Sequence, residues 1–482
     1  MANLNKNQSS ALDAVLSGHN VLITGPAGTG KSFLISEIVK TCENQGKIVA
    51  LTCTTGIACS VYTDMTLKAN TLHRWSGIED GRYPPSEIKT VILNNVKYAK
   101  VVNNIRNTDI LIIDEVSMLS KKVFGSLSEV CSIKNEKIVF GGIQLVLSGD
   151  FYQLPPVPNT MYNDEGKYCI ESDLFSNVIS HKIMLNEVVR QKNETFIKVL
   201  KEVSAGALSH DSVQFIKSLN RPLVNSNQES LKLFATNDIV DDFNRDKLLK
   251  MEGPVYEYMS EDKSKITCLN HVLAPHKLWL KVGAPVILLR NLSNKLVNGL
   301  RGDVISISED GPVVDFHSVG IQAPMKKFNS QHLFSLRDNK DIAVREQLPL
   351  KLAFAITIHK AQGMMLDMVE VDCRGIFKSG QLGVAMSRAR DFCGQRVANF
   401  TQRACMPQPD IVKDFINQPS QTFSEDLSCC QETLRKTEVF GFISVSDKPV
   451  IPFDTDIDAQ FEDQFDSEFE QLINEIDEFN AD

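Results

Sequence analysis

The chain has 482 residues, 43 % of them hydrophobic and 23 % charged, with a formal net charge of −9. That length allows roughly two to four domains at ~100 to 200 residues each, and the ordinary composition excludes a disordered or low-complexity chain. No apolar run approaches the ~20 residues of a membrane span, the opening MANLNKNQSS has neither a signal core nor a transit-peptide character, and scattered cysteines without a C-x-x-C pair exclude a zinc ribbon or a disulfide ladder, as expected of a reduced, intracellular, non-secreted protein.

Along the chain, short apolar runs alternate with helical patterns: VLIT (21 to 24), SFLISEIVK (32 to 40), IVALTCT (48 to 54), ILIID (110 to 114) and IQLVLS (143 to 148). Such alternation predicts βαβ units around a parallel sheet. The first strand runs into GPAGTGKS, which fits G-x-x-x-x-G-K-[ST]. In that pattern the backbone of Gly25, Pro26, Ala27, Gly28, Thr29 and Gly30 cradles phosphate oxygens, Lys31 neutralises the terminal phosphates, and Ser32 coordinates Mg²⁺ at a helix N-terminus. Between residues 64 and 107 the periodicity gives way to polar, Pro-containing sequence (DGRYPPSE), read as a small excursion from the first domain.

LIIDEVSM (111 to 118) then sets two carboxylates at the end of an apolar strand: Asp114 as the Mg²⁺ partner and Glu115 as proton acceptor for an attacking water. GGIQLVLSGDFYQLPP (141 to 156) ends a third strand in Asp150 and Gln153, where a parallel sheet presents its ligands, and Gln153 is a candidate γ-phosphate sensor. Arg190 in LNEVVRQ and Arg388 in VAMSRAR are candidate transition-state arginines. Taken in order, these elements predict hydrolysis of a nucleoside triphosphate, and arginines supplied by a second domain would make ATP a clamp between domains.

A second α/β region is expected from near His181, with KLFATN, APVILLR, FAITIH and MVEVD as its strands. Within it, alternating strands around the Asn298-Gly299 turn signal predict an inserted β-barrel. The chain closes on an acidic tail: Asp454 to Asp482 carries twelve acidic residues and no Lys or Arg, so residues 1 to 453 stand at +3. A near-neutral body can still bind nucleic acid if its positive charge lines one channel. Phe461, Phe465 and Phe469 recur at helical spacing in the tail, followed by Ile473, Ile476 and Phe479. Three readings stay open for it: a solubilising tail, a docking segment for a protein partner, or a nucleic-acid mimic.

These residues resemble a known family, the superfamily 1 helicases of the petite-integration-frequency (PIF) type, relatives of the RecD-like enzymes. The resemblance is carried by LNKNQ (4 to 8), GPAGTGKS, LTCTTGIA (51 to 58), LIIDEVSM, GGIQLVLSGDFYQLPP, LNEVVRQ, TIHKAQGMMLD (357 to 367) and VAMSRAR, standing in family order over roughly residues 4 to 400. It implies an α/β fold of two RecA-like parallel-sheet motor domains, with a small wedge insertion in the first and a small β-barrel of Src-homology-like type in the second. The implied boundaries are 1–180 for the first motor domain (wedge about 64–107) and 181–400 for the second (barrel about 297–346). Residues 401–452 form a C-terminal extension and 453–482 the acidic tail.

The resemblance further implies an ATP- and Mg²⁺-dependent DNA helicase moving 5′ to 3′ on single-stranded DNA, acting at duplex junctions in replication, repair, recombination or telomere maintenance. Relatives work as monomers, in nuclear or cytoplasmic settings without a membrane. Gln8 takes the adenine-contacting position, and Thr54, Thr55, His73, His359, Lys360 and Gln362 fall in motifs that line the DNA track, with Trp75 available for base stacking. Ala361 and Met365 stand where relatives commonly carry hydroxyl residues, and Phe175 where a tryptophan is frequent. The competing reading is a DNA-dependent ATPase that remodels or loads without processive unwinding, which needs the same ATP site.

Overall fold

A computed structural model describes residues 4–223, 230–263, 274–290, 292–293, 295–308, 311–335 and 340–419. The acidic tail and its phenylalanines, and most of the expected C-terminal extension, lie outside the described residues.

Helix α1 (Lys6–Leu16) opens on a reciprocal cap, Asn5 accepting from the Gln8 amide while the Gln8 side chain accepts from the Asn5 amide. Strand β1 (Val21–Thr24) leads through the glycine loop into α2 (Lys31–Asn44), followed by β2 (Val49–Cys53), α3 (Gly56–Asp64) and the short β3 (Ala69–Thr71). Next come α4 (Leu72–Ser76), α5 (Pro85–Asn94), α6 (Ala99–Asn107), β4 (Ile110–Asp114), α7 (Lys121–Cys131), β5 (Gln144–Gly149), α8 (Asp173–Val178) and β6 (His181–Met184). Among the described residues these strands form one parallel sheet in the order β3-β2-β4-β5-β1-β6. Leu22, Leu111, Ile113, Leu145 and Leu147 face one core, and Val21, Ile23, Ile110, Ile112 and Val146 face the other. Helices cover both faces, so the strands read as continuous apolar runs.

Two expectations change here. The strand at His181 was assigned to the second domain, but His181 through Met184 pair in register with Val21 through Thr24, so the first sheet runs on to Met184. The polar excursion after residue 64 is an ordered helical layer: Leu72, Trp75, Ile88, Ile92, Tyr98 and Ile105 share a core with Phe124 and Leu127 of α7. Pro85 at the first turn of α5 starts a helix there, where its missing N–H costs nothing.

The second lobe contains α9 (Glu194–Ala205), α10 (His210–Ser218), β7 (Leu231–Phe234) and α11 (Asn237–Lys250). An antiparallel insertion follows: β8 (Tyr256–Met259), β9 (Glu261–Lys263), β10 (Lys277–Leu280), β11 (Pro285–Leu288), β12 (Arg301–Ser308), β13 (Gly311–Phe316), β14 (Ile321–Pro324), β15 (Phe328–Ser335), β16 (Lys340–Gln347) and β17 (Leu350–Leu352). The chain returns through β18 (Ala355–Thr357), β19 (Val369–Asp372), α12 (Gln381–Met386) and β20 (Gln395–Ala398) to α13 (Asp410–Asn417). Strands β18-β7-β19-β20 form a second parallel sheet. The insertion has its own core around Leu280, Val286, Leu288, Val314, Phe316 and Leu350. It begins near Tyr256, upstream of the expected 297, and it claims β11, which the sequence assigned to the parallel sheet. Strand β11 is buried throughout, and a short buried run carries no alternation to separate parallel from antiparallel pairing.

Candidate active site

Strand β5 lies between β1 and β4, which brings the carboxyl ends of all three to one edge of the sheet. The glycine loop leaves β1, Asp114 and Glu115 leave β4, and Asp150 and Gln153 follow β5. The connection from β1 to β2 passes over the positions of β5 and β4, making this edge a topological switch point, where open α/β sheets bind ligands.

The loop from Gly25 to Ser32 is held against the segment that follows β6. Val189 and Arg190 both donate their amides to the Gly28 carbonyl, at 2.8 and 3.2 Å. Gly28 has a positive φ of 83°, and a Cβ there would lie 2.8 Å from Cβ of Arg190; at Gly25 a Cβ would lie 2.3 Å from the Leu185 carbonyl oxygen. Only glycine admits this approach. Lys31 reaches back over the loop, its Nζ donating to the carbonyls of Gly25 at 2.7 Å and Pro26 at 3.0 Å. Gln8 sits beside Gly30 and donates to the Thr29 carbonyl at 3.4 Å, which ties the adenine-contact candidate to the loop.

Asp114 is buried and accepts a 2.6 Å hydrogen bond from the hydroxyl of Tyr62 on α3. Tyr62 was not anticipated from sequence, since a tyrosine within an apolar helix carries no local signal of a carboxylate 52 residues away. Burial first and Asp114 second push the Tyr62 hydroxyl far above the usual range, so it stays a proton donor. Glu115 follows in a left-handed conformation, φ 56° and ψ 41°, a region that non-glycine residues occupy sparsely. Thr54 holds that turn, its amide donating to the Asp114 carbonyl at 3.2 Å and its hydroxyl to the Glu115 carbonyl at 2.9 Å. Burial, and then the neighbouring Asp114 charge, raise the Glu115 carboxyl, against the opposing pull of Lys31. A raised carboxyl is a better proton acceptor near neutrality.

Gln153 is 5 % exposed and donates to Asp150 at 3.3 Å, while its Oε1 is buried with no hydrogen-bond partner among the described residues. A buried amide oxygen of that kind marks a place where an incoming donor fits. The hard oxygens of Ser32 and Asp114 suit Mg²⁺, and the close-approach glycines suit a phosphate chain, so the residues present fit both groups.

The second lobe closes the site. Arg388 is 3 % exposed and held by its own lobe, Nε donating to Val384 O at 3.0 Å, Nη1 to Met364 O at 3.3 Å and Nη2 to Ser387 Oγ at 2.8 Å. Burial first, then repulsion from Arg190, bring its guanidinium down to about 10, so it remains cationic at neutral pH. Arg190 reaches Ser387 O at 3.5 Å. It was expected on the second domain; its backbone instead is anchored to the glycine loop, so it bridges the two lobes. Lys31, Ser32, Asp114, Glu115, Gln153, Arg190 and Arg388 all line one cleft of about 1210 Å³.

The residues assigned to a DNA track fare differently. Trp75 is 5 % exposed within the core shared by α4 to α7, so its indole is committed to packing and is not presented for stacking. Thr55 caps α3, its hydroxyl accepting from the Ala58 amide at 3.3 Å. Gln362, 1 % exposed, donates to Glu115 Oε2 at 3.0 Å and so joins the strand-end carboxylates. His73 and His359 are partly buried, and burial lowers both imidazoles. Burial, with Lys351 adding to it, brings the Lys360 ammonium down to about 8.

Two parallel-sheet lobes with a glycine loop, a strand-end carboxylate pair and arginines across one cleft define a P-loop fold of RecA-like architecture. The sequence pattern of the PIF1-like helicase family matches residues 3–214, and that of the DNA helicase Pif1 2B domain matches residues 265–307. The crystal structure of Pif1 helicase from Candida albicans superposes with a TM-score of 0.74 at 33 % identity, over 86 % of this chain and 99 % of that one. The chain therefore belongs to the PIF1-like helicase family. Bacteroides Pif1 in complex with ADP-AlF3 and single-stranded DNA gives a TM-score of 0.74 at 26 % identity, covering 86 % and 97 %. The ATP-dependent DNA helicase PIF1 of Danio rerio is 36 % identical over 419 residues, 85 % of this chain and 63 % of the relative. The chain thus spans a little under two thirds of the length of the curated relatives it matches.

Proposed function

We propose that the chain is an ATP-dependent motor that moves 5′ to 3′ along single-stranded DNA and unwinds duplex or structured DNA. The observation that carries this is the single cleft in which Lys31, Asp114, Glu115 and Gln153 of one lobe face Arg388 of the other. Lys31 and the loop amides bind and orient the phosphates, Glu115 takes the proton of the attacking water, and Arg190 and Arg388 balance charge that develops on the transferred phosphoryl group. Ser32 and Asp114 would hold Mg²⁺, which when bound neutralises phosphate charge. Because the cleft is walled by both lobes, closing it on ATP and releasing it on hydrolysis converts chemistry into relative movement.

The DNA track is proposed along Thr54, Thr55, His73, His359 and Lys360, whose groups suit phosphate and sugar contacts without sequence readout. Binding of DNA and nucleotide by the Bacteroides relative supports the same pairing here. Action as a monomer inside the cell, and docking or nucleic-acid mimicry by tail residues 453–482, belong to the same proposal; among the described residues no helix is long and apolar enough to cross a membrane.

The test is strand displacement on matched duplexes carrying a 5′ or a 3′ single-stranded tail, with Lys31→Ala as the blank. Unwinding of the 5′-tailed substrate alone is expected. A 3′ preference would overturn the polarity, and DNA-stimulated hydrolysis without unwinding of either would replace the helicase with a remodelling ATPase.

A further inference from the structure

Behind the cleft, the chain crosses between the lobes a second time. After β20, the last strand of the second lobe, Cys405 donates its thiol to Val203 O at 3.7 Å, laying the segment along the end of α9. Gln408 follows, 3 % exposed. Its Nε2 donates to two carbonyls, Ser204 O at 2.6 Å on the second lobe and Tyr152 O at 2.8 Å on the first. Ser204 is the penultimate residue of α9, whose last carbonyls have no donor within the helix. Tyr152 immediately precedes Gln153.

Beyond Gln408 the chain docks back on the first lobe. Val412 is fully buried there, and the Phe415 ring packs 5.4 Å from Phe151 and 5.8 Å from Phe175. Lys182, beside β1 in β6, donates to the carbonyls of Phe415 at 2.6 Å, Ile416 at 3.0 Å and Gln418 at 2.6 Å, closing the end of α13. Two further contacts converge on the same point. Leu154 leaves the first lobe's loop and is buried in the second lobe's core with Phe196, Val199 and Leu382. Gly380, which starts the helix leading to Arg388, approaches so closely that a Cβ there would lie 2.2 Å from the Gln153 carbonyl oxygen.

We propose that residues 405–418 are a second tether between the motor lobes and that Gln408 is a positioning residue, fixing the Tyr152–Gln153 backbone against the second lobe so that Gln153 and Arg388 keep register. This rests on the reading of Gln153 and Arg388 as nucleotide-facing groups. The amide has one N–H for each lobe, and drawing the lobes apart at this point leaves a buried carbonyl without its donor. The lobes therefore pivot about this node and open at the far end of the cleft. Side-chain placement errors of about an ångström cost reaction rate steeply while leaving ground-state binding intact.

The experiment uses the full chain with Gln408→Met, which keeps volume and removes both donors, and Phe415→Ala, which loosens the packing of α13 on the first lobe. Steady-state ATP hydrolysis on single-stranded DNA is measured together with DNA affinity, thermal stability and the distance between fluorophores placed one on each lobe. Gln408→Met should lower kcat by roughly ten- to a hundredfold, leave the KM for ATP and the DNA affinity in place, lower the melting temperature only modestly because two carbonyls lose their donor, and broaden the lobe-to-lobe distance distribution. Phe415→Ala should broaden the same distribution. An unchanged kcat and distance distribution in Gln408→Met would overturn the positioning role, as would a kcat loss that merely follows a loss of folded protein. An unchanged distribution in Phe415→Ala would overturn the tether. Failure of the proposed function would appear separately, as an inactive unsubstituted chain, and the distance measurement would still decide the tether.

Discussion

The two walls of the cleft are built in contrasting ways. On the first lobe, Lys31, Ser32, Asp114, Glu115 and Gln153 sit at or just past the ends of three adjacent strands, and one sheet sets their spacing. On the second lobe, Arg388 and Gln362 arrive from separate segments and engage the site across the gap, Gln362 over a sequence separation of 247 residues. One wall is a preformed binding surface, and the other is an attachment whose position depends on how the lobes sit. The proposed function therefore gives nucleotide binding mainly to the first wall and the timing of hydrolysis to the second.

The sharpest way to break that division is Arg388→Ala. If the second wall governs the chemical step, DNA-stimulated kcat should fall by about 10³- to 10⁵-fold while nucleotide binding, followed by fluorescent-nucleotide titration, persists; loss of binding would assign Arg388 to the first wall's role. Glu115→Gln should come next, lowering turnover by roughly 10²- to 10⁴-fold through loss of the proton acceptor. In single-turnover measurements it should bind ATP and stall.

A third substitution separates packing from recognition. Trp75→Ala should destabilise the first lobe by about 3 to 5 kcal/mol, the cost of deleting a buried indole, as read by denaturant melts. The DNA affinity of the remaining folded protein should not move, and a specific affinity loss would return Trp75 to the DNA track. The smallest effect concerns pH. Lys360 titrates near 8 in the free protein, so below that value it is charged in both free and bound states. DNA affinity should hold level up to about pH 8 and fall above it as the free protein gives up that proton. Lys360→Arg should stay level over the same range.

The first wall was legible in the sequence because its chemistry follows strand ends within a few residues. GPAGTGKS, LIIDEVSM and SGDFYQLPP each announce a strand and then a functional group, and the structure brings all three to one cleft. What the sequence did not carry were pairings made in three dimensions. Tyr62 on Asp114, Gln362 on Glu115 and Gln408 on Tyr152 join distant segments, and none has a local signature. Trp75 misled for a related reason: an aromatic residue beside a histidine in a polar stretch looks exposed until the helices that bury it are seen. The limits of the inserted barrel were missed because β11, buried along its whole length, has no alternation to read.

The position of α13 also bears on the order in which this molecule can be completed. Val412 belongs to the core of the first lobe and Phe415 packs against it, yet a ribosome delivers them after every described strand of the second lobe. The N-terminal lobe, though first to emerge, cannot finish its own interior as a nascent chain. Its Phe151 and Phe175 face waits uncovered until α13 arrives, so completion of the first lobe's core is tied to synthesis of the second lobe, and chains truncated before α13 are left with a sticky aromatic surface.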